Sequence, residues 1–247
     1  MKTILSKIKI HPLFLIFIII FILIGRFKLI MYFTLLILVH ESGHIIVSLL
    51  FKWNIDKIII LPFGGMIKYN ELINRKLLEE FLIAISGVIF QYIFFLIFKN
   101  IVNYKYFSFI NYFIIIFNLI PIYPLDGSKI LNVLFNKITT FKNSILLTLI
   151  TSYILILMLT FVLFSINKLG ILIIYILFKE TTKLYNEKEV IFNKFLLERN
   201  LYEFKFKRKK TINSIYQMKK NYKHLFKINN KYITEKYYLK KMFDINS

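Results

Sequence analysis

The chain has no cysteine, which excludes disulfide bridges and thiolate ligands and leaves any metal chemistry to histidine and carboxylate. Acidic residues are scarce: 13 Asp and Glu stand against 34 Lys and Arg, a net charge of +21. No internal repeat is visible, which sets aside solenoid and propeller architectures. Histidine is nearly absent as well, with four in 247 residues. Where two of those four fall close together therefore carries information.

Hydrophobic side chains make up 57% of the chain, 27 of them Phe, and the mean hydropathy is +0.63. Globular chains run near half apolar, so the excess belongs to long apolar runs and not to a large soluble core. A membrane helix needs about 20 such residues. Candidate spans cover about 10–25, 29–51, 80–98, 106–120, 143–165 and 167–178. The expected fold is an all-α polytopic membrane protein of about six transmembrane helices, with a membrane domain over 1–180 and a basic cytosolic tail over 181–247. The basic N-terminus before the first apolar run resembles a signal peptide. No small-residue cleavage site follows, so an uncleaved first span is expected.

Charge orients these spans. From Lys179 onward there are 18 Lys and Arg against 7 Asp and Glu, which places the tail in the cytoplasm beside anionic lipid. Basic tracts with interleaved aromatics also bind nucleic acid. In a membrane chain that partner is not expected. With six spans both termini are cytoplasmic, as are 52–79 and 121–142, which carry more Lys and Arg than the opposite connections with Arg26, Lys28, Lys99, Lys105 and Lys168.

Within 52–79, "IDKIIILPFGGMIKY" is a β-branched run, a Pro-Phe-Gly-Gly turn and more extended residues. That order predicts a strand or hairpin at the membrane edge, as against a plain surface loop. An edge strand there could pair with an extended peptide.

The chemistry lies in "LVHESGH" at 38–44. His40 and His44 are four apart, on one face of a helix, so one tetrahedral ion can take both imidazoles. Glu41 can reach a water on that ion without ligating it, which is the pattern of zinc hydrolases with Glu as general base. Bound Zn²⁺ lowers the pKa of its water to about 7. The five-residue pattern also arises by chance on exposed helices. Here each ionisable group in an apolar helix costs about 2.5–3.5 kcal/mol on insertion, which argues for function.

A third ligand is available in "FNLIPIYPLDGSKI" at 117–130. Pro121 and Pro124 stop the fourth span, and Leu125-Asp126-Gly127 is expected to form a tight turn presenting a carboxylate. The second and fourth spans run in the same direction, so Asp126 and the two histidines reach the same side. Asn118, on the last turn of that span, has two readings: donor to a substrate carbonyl or oxyanion, or interhelical glue. Gly87 and Gln91 on the third span read as packing residues, and His11 as interfacial.

HExxH in a membrane helix, followed by N-x-x-P-x-x-P-L-D-G at the end of another, resembles the site-2 protease family of intramembrane zinc metalloproteases. "LPFGG" at 61–65 and "FLLER" at 195–199 resemble the branch that activates a pro-sigma factor in sporulation. The resemblance implies zinc on His40, His44 and Asp126, water activation by Glu41, assistance from Asn118, and substrate entry beside Phe63, Gly64 and Gly65. It also implies a membrane-associated protein substrate such as a pro-sigma factor, with inhibitory membrane proteins and a second copy of the chain as candidate partners.

Two positions depart from that branch: Ser86-Gly87-Val88 stands for A-G-P, and Asp126-Gly127-Ser128 for D-G-G. Neither removes a ligand or the base. The residues after Lys207 are too few for a CBS pair, so the tail is a candidate for a truncated CBS-like domain. The rival reading is a non-catalytic metal-binding or transport protein. Glu41 discriminates, since a pure binding site needs no base beside its first ligand.

Overall fold

The computed structural model describes residues 4–61, 64–100, 104–166, 170–228 and 231–245. Its contacts define two units: Met1–Glu71 with Phe81–Ile120 and Leu125–Gly127, and Leu72–Glu80 with Pro121–Pro124 and Ser128–Ser247.

The first unit begins with strand β1 (Ile8–Ile10) and helix α1 (Pro12–Leu23). The first expected span is therefore shorter than 10–25, because Pro12 opens the helix. Its missing N–H costs nothing at a first helical position. His11 caps it, accepting from Leu13 N–H at 3.2 Å through Nδ1. Helix α2 (Phe27–Leu50) follows, then β2 (Ile55–Leu61) and β3 (Gly64–Tyr69). These two strands form the expected hairpin, with Leu61 opposite Gly64. β1 adds in parallel to the far side of β2, so the order is β1-β2-β3 and β3 is an edge. Helix α3 (Leu77–Phe98) and α4 (Tyr104–Leu119) complete the bundle. Phe33, Leu36, Ile37, Phe95, Phe107 and Ile114 pack between them as the core.

Among the described residues three helices are long and apolar enough to cross a membrane: α2, α3 and Phe141–Phe161. The apolar helices Pro12–Leu23 and Lys105–Leu119 are shorter. The side chains these helices expose are largely apolar, with Leu23, Phe109 and Phe161 each more than two-thirds exposed. Exposed apolar surface of that extent belongs in lipid. The chain is a membrane protein, mostly helical with two small sheets.

The expected connection 121–142 holds a helix, α5 (Asp126–Ile138), whose first two residues belong to the first unit and the rest to the second. Asp126 opens this helix and is not part of a free turn. Asn132 on α5 donates to Ser144 O and Thr148 Oγ1 of α6 (Phe141–Ile166), which gives the polar side of α5 its partners. The expected sixth span starts at 167–169, outside the described residues. From Gly170 the helix runs on as α7 to Leu201, 32 residues, past the expected span end at 178. Three strands, β4 (Arg208–Ile212), β5 (Tyr222–Ile228) and β6 (Lys231–Thr234), precede α8 (Glu235–Ile245). β5 lies in the middle, parallel to β4 and antiparallel to β6.

This sheet is organised around the string "FLLER". Phe195 stacks on Phe141 with ring centroids 4.2 Å apart, and Leu196 joins the same core. Glu198 accepts from Ile73 N, Asn74 N and Asn74 Nδ2 at 3.0–3.1 Å. Arg199 donates to Asn74 Oδ1 at 2.7 Å, to Tyr222 O at 2.8 Å and to Lys219 O at 3.0 Å, and pairs with Glu235 at 2.9 Å. Removing one partner of such a buried pair strands the other charge, which costs about 3–5 kcal/mol.

His224 completes the network. Its Nε2 accepts from Lys219 N–H at 3.1 Å while Nδ1 faces Glu235 at 3.1 Å, an arrangement for the neutral ring. Burial pushes its pKa below the ordinary value, against the Glu235 hydrogen bond that raises it, with Arg199 and Lys210 adding repulsion. For Glu235 burial acts upward, but the His224 hydrogen bond and the Arg199 charge outweigh it and hold the carboxyl below its usual value. The unfolded chain therefore binds more protons, and stability falls as pH drops below the ordinary His value of 6.5. Hydrogen exchange at β5, corrected for intrinsic rates, should accelerate between pH 7.5 and 5.5. Unchanged protection would contradict a neutral buried His224.

Candidate metal centre

Helix α2 crosses the first unit with His40 and His44 one turn apart, 1% and 4% exposed. Asp126 Oδ2 lies 3.0 Å from His40 Nε2 and 2.9 Å from His44 Nε2, and the two Nε2 atoms are 3.2 Å apart. A tetrahedral ion with ligand bonds of about 2.0–2.1 Å sets its donor atoms about 3.3 Å apart. The cluster is close to that size.

The hydrogen bonds behind the rings decide which nitrogens face inward. His44 Nδ1 is 2.6 Å from Ile83 O, a backbone oxygen that can only accept. His40 Nδ1 is 2.9 Å from Gln91 Oε1. Both Nδ1 atoms therefore carry the proton in the neutral rings, and both Nε2 atoms present lone pairs. Two lone pairs and a carboxylate oxygen converge where like partial charges repel. A cation resolves that repulsion, so these residues fit a metal ion and could hold one.

Gly87 of α3 leaves the space. A Cβ there would lie 2.4 Å from His44 Nε2 and 2.6 Å from His40 Nε2. Gly127 does the same for the Asp126 backbone, since a Cβ would meet Leu119 O at 2.1 Å. The departure from D-G-G thus keeps the glycine that contact requires and changes only the residue after it.

Glu41 is 5% exposed and stands beside the cluster without joining it. Its Oε1 accepts from Gly65 N–H at 2.6 Å. A Cβ on Gly65 would come 2.3 Å from Glu41 Cδ, so only glycine brings the β3 backbone this close. Gly64, with φ at +152°, abuts Asn118 Oδ1, 3.1 Å from where its Cβ would be. The Asn118 amide Nδ2 donates to Ile114 O at 2.9 Å, within its own helix.

The structure thus brings together His40, Glu41, His44, Asp126, Asn118, Gly64 and Gly65, while Phe63 lies outside the described residues. Gly87 and Gln91, read from the sequence as packing residues, abut the cluster. The available signal was their spacing: one turn apart, they share a face of an otherwise apolar helix.

An HExxH helix buried among apolar helices, its histidines joined by an aspartate from a later element, defines an intramembrane metalloprotease. The chain belongs to peptidase family M50, whose sequence pattern matches residues 28–105 and 98–163. It is 35% identical over 208 residues to stage IV sporulation protein FB of Bacillus subtilis, an alignment covering 78% of this chain and 71% of that protein. A zinc metalloprotease of Methanocaldococcus jannaschii is 30% identical over 112 residues, 41% of this chain and 32% of its own length. The solved site-2 protease from M. jannaschii superposes with a TM-score of 0.59 at 26% identity, over 71% of this chain and 89% of that one.

Proposed function

We propose that the chain is a zinc-dependent endopeptidase that cuts a membrane-associated protein, a pro-sigma factor during sporulation, near the cytoplasmic face. The observation that carries the reading is the buried His40–His44–Asp126 cluster with Glu41 beside it. The sporulation role rests on the likeness to stage IV sporulation protein FB.

His40 and His44 would hold zinc through Nε2, and Asp126 through its carboxylate. When bound, zinc supplies Lewis acidity, acidifying water and polarising a carbonyl. Gly65 N–H holds Glu41 Oε1, which leaves Oε2 to take a proton from water and pass it to the departing amine. The β3 edge, ending in Gly64 and Gly65 against Asn118 and Glu41, suits an extended peptide laid along it. Asn118 would turn its amide from Ile114 O to the substrate carbonyl.

Around this site the reading has six spans and cytoplasmic termini, with the basic tail against anionic lipid. Inhibitory membrane proteins and a second copy of the chain are its proposed partners.

Co-expression with candidate pro-sigma factors tests the reading. Wild type should trim one of them and purify with about one zinc, as a catalytic site requires. Asp126→Ala should lose metal and cleavage together. Full zinc and full cleavage in that variant would take Asp126 out of the site. Failure of wild type to cut any pro-sigma factor, with zinc bound, would end the sporulation assignment.

A further inference from the structure

His40 is held from behind by a chain of two buried amides. Its Nδ1 lies 2.9 Å from Gln91 Oε1 on α3. Gln91 Nε2 donates to Asn111 O and to Asn111 Oδ1 on α4, each at 3.1 Å. Gln91 and Asn111 are fully buried, each 0% exposed. The orientation of the Gln91 amide follows from its neighbours. The end facing a backbone carbonyl must be the NH₂, so the end facing His40 is the oxygen.

The two histidines are therefore supported differently. His44 relies on the backbone oxygen of Ile83, which no substitution removes. His40 relies on a side chain. We infer that Gln91 is a positioning residue that fixes the tautomer and ring plane of His40, and that Asn111 fixes Gln91. The inference rests on the reading of His40 as a metal ligand. A merely structural amide between α3 and α4 could spend its oxygen on any donor; this one spends it on the second nitrogen of a ligand. Asn111 also turns its oxygen to Gln91 while its own Nδ2 is buried with no partner among the described residues. A buried donor left unpaired calls for an explanation, and the orientation of Gln91 supplies one. Outer partners of ligating histidines hold ring orientation and raise ligand basicity.

The test measures zinc affinity of the purified full chain by chelator competition, with the absorption bands of the Co²⁺ form as a second signature. Gln91→Met keeps length and volume but removes the acceptor. It should weaken zinc binding about 10–100-fold and shift the Co²⁺ bands. Gln91→Glu, protonated at this fully buried position, keeps a carbonyl oxygen for His40 Nδ1 and a hydroxyl to donate to Asn111 O, the place Gln91 Nε2 holds in the wild type. Its zinc affinity should return toward wild type. If Gln91→Met does not fold, Asn111→Leu carries the test: it removes one of the two acceptors fixing Gln91 and should weaken zinc binding less, in the same direction. Wild-type affinity and bands in Gln91→Met or Asn111→Leu would overturn the inference. So would a loss in Gln91→Glu as deep as in Gln91→Met. A wild-type protein that binds no zinc would instead overturn the metal reading beneath it.

Discussion

Glu41→Gln should abolish peptide-bond cleavage in a protein that remains folded and metallated. The substitution keeps the length of the side chain and the oxygen that accepts from Gly65 N–H, now 2.6 Å from Glu41 Oε1, so the hairpin keeps its anchor. It removes only the basicity. Loss of a general base costs about 10²–10⁴-fold in rate. The larger figure is expected here, because Glu41 is buried and bulk water has little access to replace it. Zinc content should not change, since Glu41 is outside the ligand cluster. Cleavage of a membrane substrate alongside zinc analysis of the same preparation measures both. Zinc loss would make Glu41 a ligand, and undiminished cleavage would remove its assignment as base.

Gly87→Ala is the second large effect, and it reaches the metal without touching a ligand. The added methyl would stand 2.4 Å and 2.6 Å from the two Nε2 atoms, inside the space an ion needs. Alanine favours helix over glycine, so α3 itself should form as well or better. Overpacking a well-filled site costs about 1–3 kcal/mol, and the relief available is displacement of the rings or of α3. Moving the rings separates them from Asp126, and moving α3 withdraws Gln91 Oε1 and Ile83 O, which orient them. The variant should fold, purify with little zinc and cut nothing. Wild-type zinc content in Gly87→Ala would mean that the ion, when bound, does not sit between the two Nε2 atoms.

Much of the catalytic chemistry is legible in local spacing. Histidines four apart share a helical face whatever the tertiary fold, and their apolar setting makes chance an expensive explanation. The β-branched run before Pro-Phe-Gly-Gly predicts the hairpin that the structure contains, because that signal is local too. Asp126 could be picked out from its place just beyond the fourth span. Its local structure could not: the turn expected there is the first residue of α5, whose polar side becomes intelligible only with Ser144 and Thr148 as partners.

The tail shows the same limit from the opposite side. Its charge reads as a cytosolic tail beside anionic lipid, yet Glu198, Arg199, His224 and Glu235 are nearly all removed from solvent. Charge is a property of the residue, whereas burial depends on partners, and Glu198 meets Asn74 across 124 positions of sequence. Gln91 and Gly87 follow the same rule. On α3 alone they are a polar residue and a gap in an apolar helix, equally suited to packing. Gln91 is placed by His40 51 residues earlier and Asn111 20 residues later, and Gly87 by two imidazole nitrogens on another helix. Helical periodicity tells which residues share a face. Which other helix that face meets is decided only when the bundle closes.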